Sequence, residues 1–393
     1  MGKILDALPK GRMLSLDVFR GITITMMIFV NNPGSWSYMY PPLKHAEWNG
    51  WTPTDFIFPF FVFIMGVSVV LAFSKKLAQG VDKKELYKSI FSRTAKLFGL
   101  GLLLALLSIN LFSPDHNWFT DTLLKIRVMG VLQRLALVYA ITSVLYLNFD
   151  IKKMSFIGVG ILVVYWLLMK FMPFTATING VVTDLTGTLE HGKNFAAFVD
   201  SKIFGIDHSY FKNVPLVYDP EGFLSTFPAV VSCIAGVITG WYLQKKHSLE
   251  EQTSTLFFWG IGLLFIGEIL DYGFPINKTL WSPSYVIFMA GMALVFLAMC
   301  MYLIDGKGIK NWTEPFIVFG ANAIAFFMFA GFFGRLILMI TIDGTRLKSL
   351  MYNEYFAPLF GNYIGSVAFS IVFLGISYAI MLWMYKKRIF WKV

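Results

Sequence analysis

Phe56-Ile57-Phe58-Pro59-Phe60-Phe61-Val62-Phe63-Ile64-Met65-Gly66-Val67-Ser68-Val69-Val70-Leu71-Ala72-Phe73 contains no charged residue. A bilayer is crossed by a helix of about 20 mostly apolar residues, so this run reads as a membrane span. A second apolar run, Ser15–Val30, precedes it. Working outward, ten such spans are expected, at 14–32, 53–73, 89–111, 128–148, 154–172, 222–243, 254–272, 281–304, 314–340 and 361–385. The composition agrees. Of 393 residues 56% are hydrophobic and 14% charged, whereas soluble domains carry about 25% charged residues. The fold class is therefore all-α, a polytopic integral membrane protein with about ten transmembrane helices, read as a single domain over residues 1–393.

The net charge of +10 could suggest a nucleic-acid partner. The basic residues sit instead in short connectors, and alternate ones are rich and poor. Lys3, Lys10, Arg12, Lys75, Lys76, Lys83, Lys84, Lys88, Lys152, Lys153, Lys245, Lys246, Lys307, Lys310, Lys386, Lys387, Arg388 and Lys392 fall on one side. The other side holds half as many: Lys44, Lys125, Arg127, Lys193, Lys202, Lys212, Lys278, Arg346 and Lys348. This is the positive-inside pattern of a protein embedded in a lipid bilayer. It predicts no nucleic-acid binding, both termini in the cytoplasm, and the 31–55 and 173–221 connectors outside. The two cysteines, Cys233 and Cys300, are too few for a disulfide framework or a zinc site, so no metal is expected. No cleavable leader is apparent, which places the start of the mature chain at or near Met1. The 173–221 connector is too long for a plain turn and is expected to form an outer cap.

The connector Asn31–Asp55, NNPGSWSYMYPPLKHAEWNGWTPTD, is the richest in chemistry. His45 can take or give a proton near neutral pH, although a lone loop histidine is more often structural. Asn31 and Asn32 could donate to an oxyanion or merely close the helix end before Pro33-Gly34. Ionisable groups near membrane depth are costly and default to functional candidates. Asp55 opens the second span, Arg127 and Arg134 lie in the outer part of the fourth, and Asp219 and Glu221 open the sixth. Glu268 and Asp271 close the seventh, and Arg335 is near the outer end of the ninth. Glu268 and Asp271 share a helical face and could grip an amine or satisfy an arginine. Asp17 and Arg20, three residues apart, read as an internal ion pair. No G-x-x-x-x-G-K-[ST], G-x-S-x-G or H-E-x-x-H occurs, so an anionic cofactor would be held by isolated Arg and Lys side chains and helix ends.

Leu14-Ser15-Leu16-Asp17-Val18-Phe19-Arg20-Gly21 followed by Asn31-Asn32-Pro33-Gly34 resembles the first span of the heparan-α-glucosaminide N-acetyltransferase family. The resemblance continues through His45-Ala46-Glu47-Trp48-Asn49-Gly50-Trp51-Thr52-Pro53-Thr54-Asp55 and Phe58-Pro59-Phe60-Phe61. Further islands are Gly130-Val131-Leu132-Gln133-Arg134, Tyr218-Asp219-Pro220-Glu221-Gly222, Asn277-Lys278-Thr279-Leu280-Trp281, Ser284-Tyr285-Val286 and Gly320-Ala321-Asn322-Ala323. They occur in order over nearly the whole chain. The resemblance implies a transmembrane transfer of acetyl from acetyl-CoA to the amine of a terminal glucosamine. It puts the catalytic histidine at His45 and an active-site asparagine at Asn31 or Asn32. It also implies a bacterial-type member without the large luminal N-terminal domain, in a cytoplasmic membrane.

Taken together, the expected catalytic group is His45, Asn31, Asn32 and Asp55. Arg134, Arg127 and Arg335 are expected at the phosphates of CoA. Glu268, Asp271, Asp219, Glu221 and Trp48 are expected at the acceptor. A homodimer is compatible with this reading. The alternatives are acyl transfer to a lipid-linked or cell-wall glycan, and an amino-sugar permease; the absence of internal symmetry counts against the permease.

Overall fold

The computed structural model describes residues 13–178 and 180–391. Lys3, Lys10, Arg12 and Lys392 of the basic set, and the start at Met1, lie outside them. Among the described residues eight helices are long and apolar enough to cross a membrane. They are α1 (Leu14–Asn31), α2 (Ile57–Ala78, entered through the turn Pro53–Phe56), α4 (Val131–Asn148) and α5 (Ile151–Phe171), followed by α7 (Phe223–Leu243), α8 (Leu249–Asp271), α9 (Pro283–Cys300) and α14 (Asn362–Lys386). The labels between them belong to α3 (Lys83–Ala105), α6 (Phe195–Ile203), α10 (Glu314–Ala321), α11 (Ala323–Met339), α12 (Leu347–Met351) and α13 (Ala357–Phe360).

Two segments differ from the expected pattern. The run 314–340 is not one straight helix: α10 and α11 meet at 84°, broken at Asn322. Asn322 Nδ2 donates to Ile389 O and its Oδ1 accepts from Trp391 N, so the break is tied to the C-terminal turn. The third segment, expected at 89–111, is α3 instead. It begins earlier, where Asp82 caps the N–H of Lys84, and stops at Ala105. Lys83, Lys84, Glu85, Lys88, Arg93 and Lys96 make its first half too charged to count among the apolar spans. It still runs from one end of the bundle to the other, a length of about 35 Å at 1.5 Å per residue.

The buried centre is α2, α7 and α9, with Phe63, Val67, Val230, Val237, Ala293 and Leu297 nearly inaccessible. Small residues let these helices approach. A Cβ on Gly66 would meet Cys233 O, and one on Gly236 would meet Phe63 O, so α2 and α7 touch backbone to backbone. Gly260 of α8 and Gly291 of α9 do the same. The expected cap is a small α/β element. Strands β1 (Phe174–Ile178) and β2 (Val181–Leu185) pair antiparallel, followed by α6. Phe174, Ala197, Leu216 and Tyr218 bury themselves in it, with Trp48 of the 31–55 connector packed alongside.

Candidate active site

Asp55 organises the connector that carries His45. Its Oδ2 accepts from the backbone N–H of Ala46 and of Thr52, both at 3.0 Å, closing the loop onto the start of α2. Its own carbonyl accepts from Tyr285 Oη at 2.7 Å. The carboxylate is 1% exposed, and its free oxygen, Oδ1, lies 2.6 Å from His45 Nδ1. A carboxylate can only accept here, so the proton sits on Nδ1 and the Nε2 lone pair is left available. The His45 side chain is 49% exposed. This is an oriented, half-exposed imidazole.

A third group, invisible to sequence pairing, completes the cluster. Lys278 Nζ lies 3.0 Å from His45 Nδ1, 3.3 Å from Nε2 and 3.5 Å from Asp55 Oδ1. Its turn is fixed on the same connector. Asn277 Nδ2 donates to Trp48 O and Asn49 Oδ1, and Asn277 Oδ1 accepts from Leu280 N. Trp281 ends that turn at φ 50, a left-handed backbone that a tryptophan rarely adopts. Trp281 Nε1 donates to Ser232 Oγ at 3.0 Å, and its ring packs on Tyr285, which together hold it there. Burial pushes the Lys278 ammonium below the ordinary lysine value, against the opposing pull of Asp55 and Glu221.

Asn31 and Asn32 are not joined to His45. They line a cavity of about 690 Å³ together with Arg127, Gln133, Arg335 and Lys348. Among the described residues no Asp or Glu lines it. Asn32 Nδ2 is engaged with Ile28 O at 2.8 Å, while Asn31 is exposed at the end of α1. Arg335 Nη1 donates to the Gly331 carbonyl at 3.0 Å. Lys348 is buried beside Trp36 and Phe369, and burial pushes its ammonium down to about 8. Lys348 is a site residue that sequence reasoning missed, counted only as one more connector lysine.

The remaining candidates fall into three groups. Arg127, Asp219 and Glu221 are satisfied by one another. Nε and Nη2 of Arg127 donate to the two Asp219 oxygens at 2.7 Å each, and Nη2 to Glu221 Oε2 at 2.5 Å. This pairing keeps the Arg127 guanidinium firmly protonated and, with Arg134 and Lys278, holds Glu221 below the ordinary glutamate value. Arg134 does not reach the cavity. It is fully buried against Ser225, the Gly222 carbonyl and the Trp281 ring, with Nε and Nη1 unpartnered among the described residues. Asp271 caps the next turn through Ile276 N, and Glu268 is exposed on the outer side of α8 beside Phe265 and Ile269. Trp48 is turned toward the cap: its Nε1 donates to Leu189 O and its ring meets His191. Arg20 pairs with Asp17 at 3.4 Å, as the spacing suggests. It also lines a second cavity of about 230 Å³ with Arg93.

These features define a polytopic α-helical membrane protein with an oriented histidine–carboxylate pair and a separate cavity lined by Arg127, Arg335 and Lys348. Residues 12–190 match the family described as heparan-alpha-glucosaminide N-acetyltransferase, catalytic. Over that region the chain is similar to the catalytic part of that family. A human protein of that name is 31% identical over 361 residues, covering 81% of this chain and 52% of its own length. The mouse protein of the same name is 29% identical over 426 residues, 97% of this chain and 60% of its own length. The chain thus spans between half and three-fifths of these curated relatives.

Proposed function

We propose that the protein is a transmembrane N-acetyltransferase that moves acetyl from acetyl-CoA to the amine of an amino sugar, with His45 as general base. The observation that carries this reading is the 2.6 Å contact between His45 Nδ1 and Asp55 Oδ1, because it orients a half-exposed imidazole with Nε2 as its basic nitrogen, beside the Lys278 amine. An amine attacks a thioester only when deprotonated, and Nε2 takes that proton. The C–N bond forms, the C–S bond breaks, and the proton passes to the leaving thiolate. The relatives' name supplies the reaction class, and acetyl-CoA follows from it as acetyl donor.

The larger cavity fits a phosphorylated ligand. Its volume falls in the usual range of small-molecule sites, about 300–1,000 Å³. Arg335 and Lys348 face it without a counterion in its wall, while Arg127 is already neutralised by two carboxylates. Asn31 stands at the same wall, exposed at the end of α1. The smaller cavity supports passage across the membrane. α1, α3, α4 and α11 wall both cavities: α3 gives Leu97 to one and Gly101 to the other, about 6 Å further along its axis. Purified protein given acetyl-CoA and glucosamine should release free CoA in step with N-acetylglucosamine. Release without sugar acetylation would overturn the acceptor.

Lys348 gives this reading a pH signature. Its ammonium is a cation below about 8 and neutral above. CoA affinity should therefore fall as pH rises through about 8, by about tenfold if one charge-assisted hydrogen bond is lost. Lys348→Arg should flatten that dependence, and equilibrium binding across the window checks both. For stability of the free protein the sign is opposite. The fold holds fewer protons on Lys348 than the unfolded chain between about 8 and the ordinary lysine value, so this group's contribution rises with pH there.

Orientation is part of the same proposal, with the His45 end outside and both termini cytoplasmic. A cysteine at Ser37 should be labelled by an impermeant reagent in sealed cells, and one at Gln79 should not. Labelling at Gln79 alone would invert the topology and put His45 on the donor side.

A further inference from the structure

We infer that Lys278 is an acetyl acceptor of this same site, so that the protein acetylates its own Lys278 side chain when donor is present and acceptor is absent. The inference rests on the acetyltransferase reading and adds a modification site to it. Its Nζ is a primary amine that stands 3.0 Å from Nδ1 and 3.3 Å from Nε2 of His45, so a small rotation of the lysine side chain brings it onto the Nε2 lone pair. Of the lysines named above, it is the one within hydrogen-bond reach of His45; Lys44 is adjacent in sequence but exposed, and Lys348 belongs to the cavity. The amine is not there by the chance wandering of a long side chain. Asn277 and the left-handed Trp281 fix the turn on both sides of it, and a side chain 24% exposed has little room to leave.

The chemistry balances without further reactants. The Nζ lone pair attacks the thioester carbonyl carbon, the C–N bond forms and the C–S bond breaks. The Nζ proton passes through His45 Nε2 to the CoA thiolate. The product is an amide, with no change of oxidation state. Only the neutral amine can attack, and burial favours that form at Lys278. The acetylated side chain would lose its charge and place an acyl group over Nε2, where the sugar amine must arrive. The modification is thus a brake that engages when acceptor runs out.

The test is mass spectrometry of the purified full chain after incubation with acetyl-CoA alone. The expected result is a mass increase of one acetyl group, mapped by peptide analysis to Lys278. Glucosamine should slow the labelling, because both amines use the same base. His45→Ala should slow it about a hundredfold, the usual size of a lost acid–base contribution. Lys278→Arg keeps the charge beside Asp55 and should abolish the label without unfolding the protein, as its melting temperature would show. If glucosamine is acetylated normally and Lys278 stays unmodified, the inference fails and the acetyltransferase reading stands. A hydroxylamine-labile acetyl on His45 instead would also overturn it, assigning the histidine a covalent role. If neither glucosamine nor the chain takes acetyl, both fail together.

Discussion

His45→Ala should lower acetyl transfer by about a hundredfold or more, while the melting temperature changes little. The side chain is half exposed, so its removal opens no buried cavity. Asp55→Asn tests the same arrangement more sharply. The N–H groups of Ala46 and Thr52 both point at Oδ2 and will select the amide oxygen there. The amide nitrogen must then face His45 Nδ1 and donate to it, so the ring proton moves to Nε2 and the base is lost. Inverting a histidine tautomer in this way costs up to about 10⁴ in turnover in a well-studied serine protease. His45→Asn should fail as the alanine variant does, since an amide cannot take the proton. Turnover and melting temperature measured on all three variants separate catalysis from loop anchoring. Near-full activity in a folded His45→Ala protein would sink the assignment.

The largest expected effect on stability is at Arg127. Replacing it with Met leaves Asp219, fully buried, and Glu221, largely so, without their shared cation. Breaking a buried pair from one side typically costs about 3–5 kcal/mol, and the partial exposure of Arg127 argues for the lower end. The pH dependence contributed by Glu221 should change in sign with it. In the native protein Glu221 is held below its ordinary value, so its contribution is present at neutral pH and lost as pH falls through that lowered value. Burial already holds Asp219 above its ordinary value; without Arg127 Glu221 is raised as well, and the variant should regain stability as pH falls. Adding Asp219→Asn and Glu221→Gln to the Arg127→Met protein should recover much of the loss at neutral pH. Additive losses in a thermal-denaturation series would show that the three groups do not act as a unit.

Apolar run length made most of the helices legible in the sequence, because a bilayer imposes one length on whatever crosses it. Where charge and apolarity mix along one helix, as in α3, the apolar part was visible and the start at Lys83 was not. The 84° break at Asn322 left no sign in hydropathy, since the residues on both sides are equally apolar. The site shows the same division. His45 and Asp55 are ten residues apart in one connector, and their nearness could be guessed. Lys278 approaches from 233 positions away, through a turn whose geometry depends on Trp281 and Ser232. Arg134 looked like a phosphate ligand because a buried charge demands a partner; its neighbours turned out to be Ser225, a backbone carbonyl and an indole face. Arg335 and Lys348 differ from it only in facing open space, which no residue type announces.

The glycine contacts between α2 and α7, and between α8 and α9, constrain how the bundle can move. Where a Cα already rests on a neighbouring carbonyl, neither helix can slide or rotate without driving backbone into backbone. Those pairs form a fixed frame, and the His45 connector is bolted to it through Tyr285 on α9 and the start of α2. α3 meets α4 differently, with the flexible Gln133 side chain lying over Gly101. α11 meets α10 at the bend at Asn322 and through the stacked rings of Phe319 and Phe326. Any gate between the two cavities therefore has to open on the α3, α4 and α11 side, while the base keeps its position on a wall that does not travel.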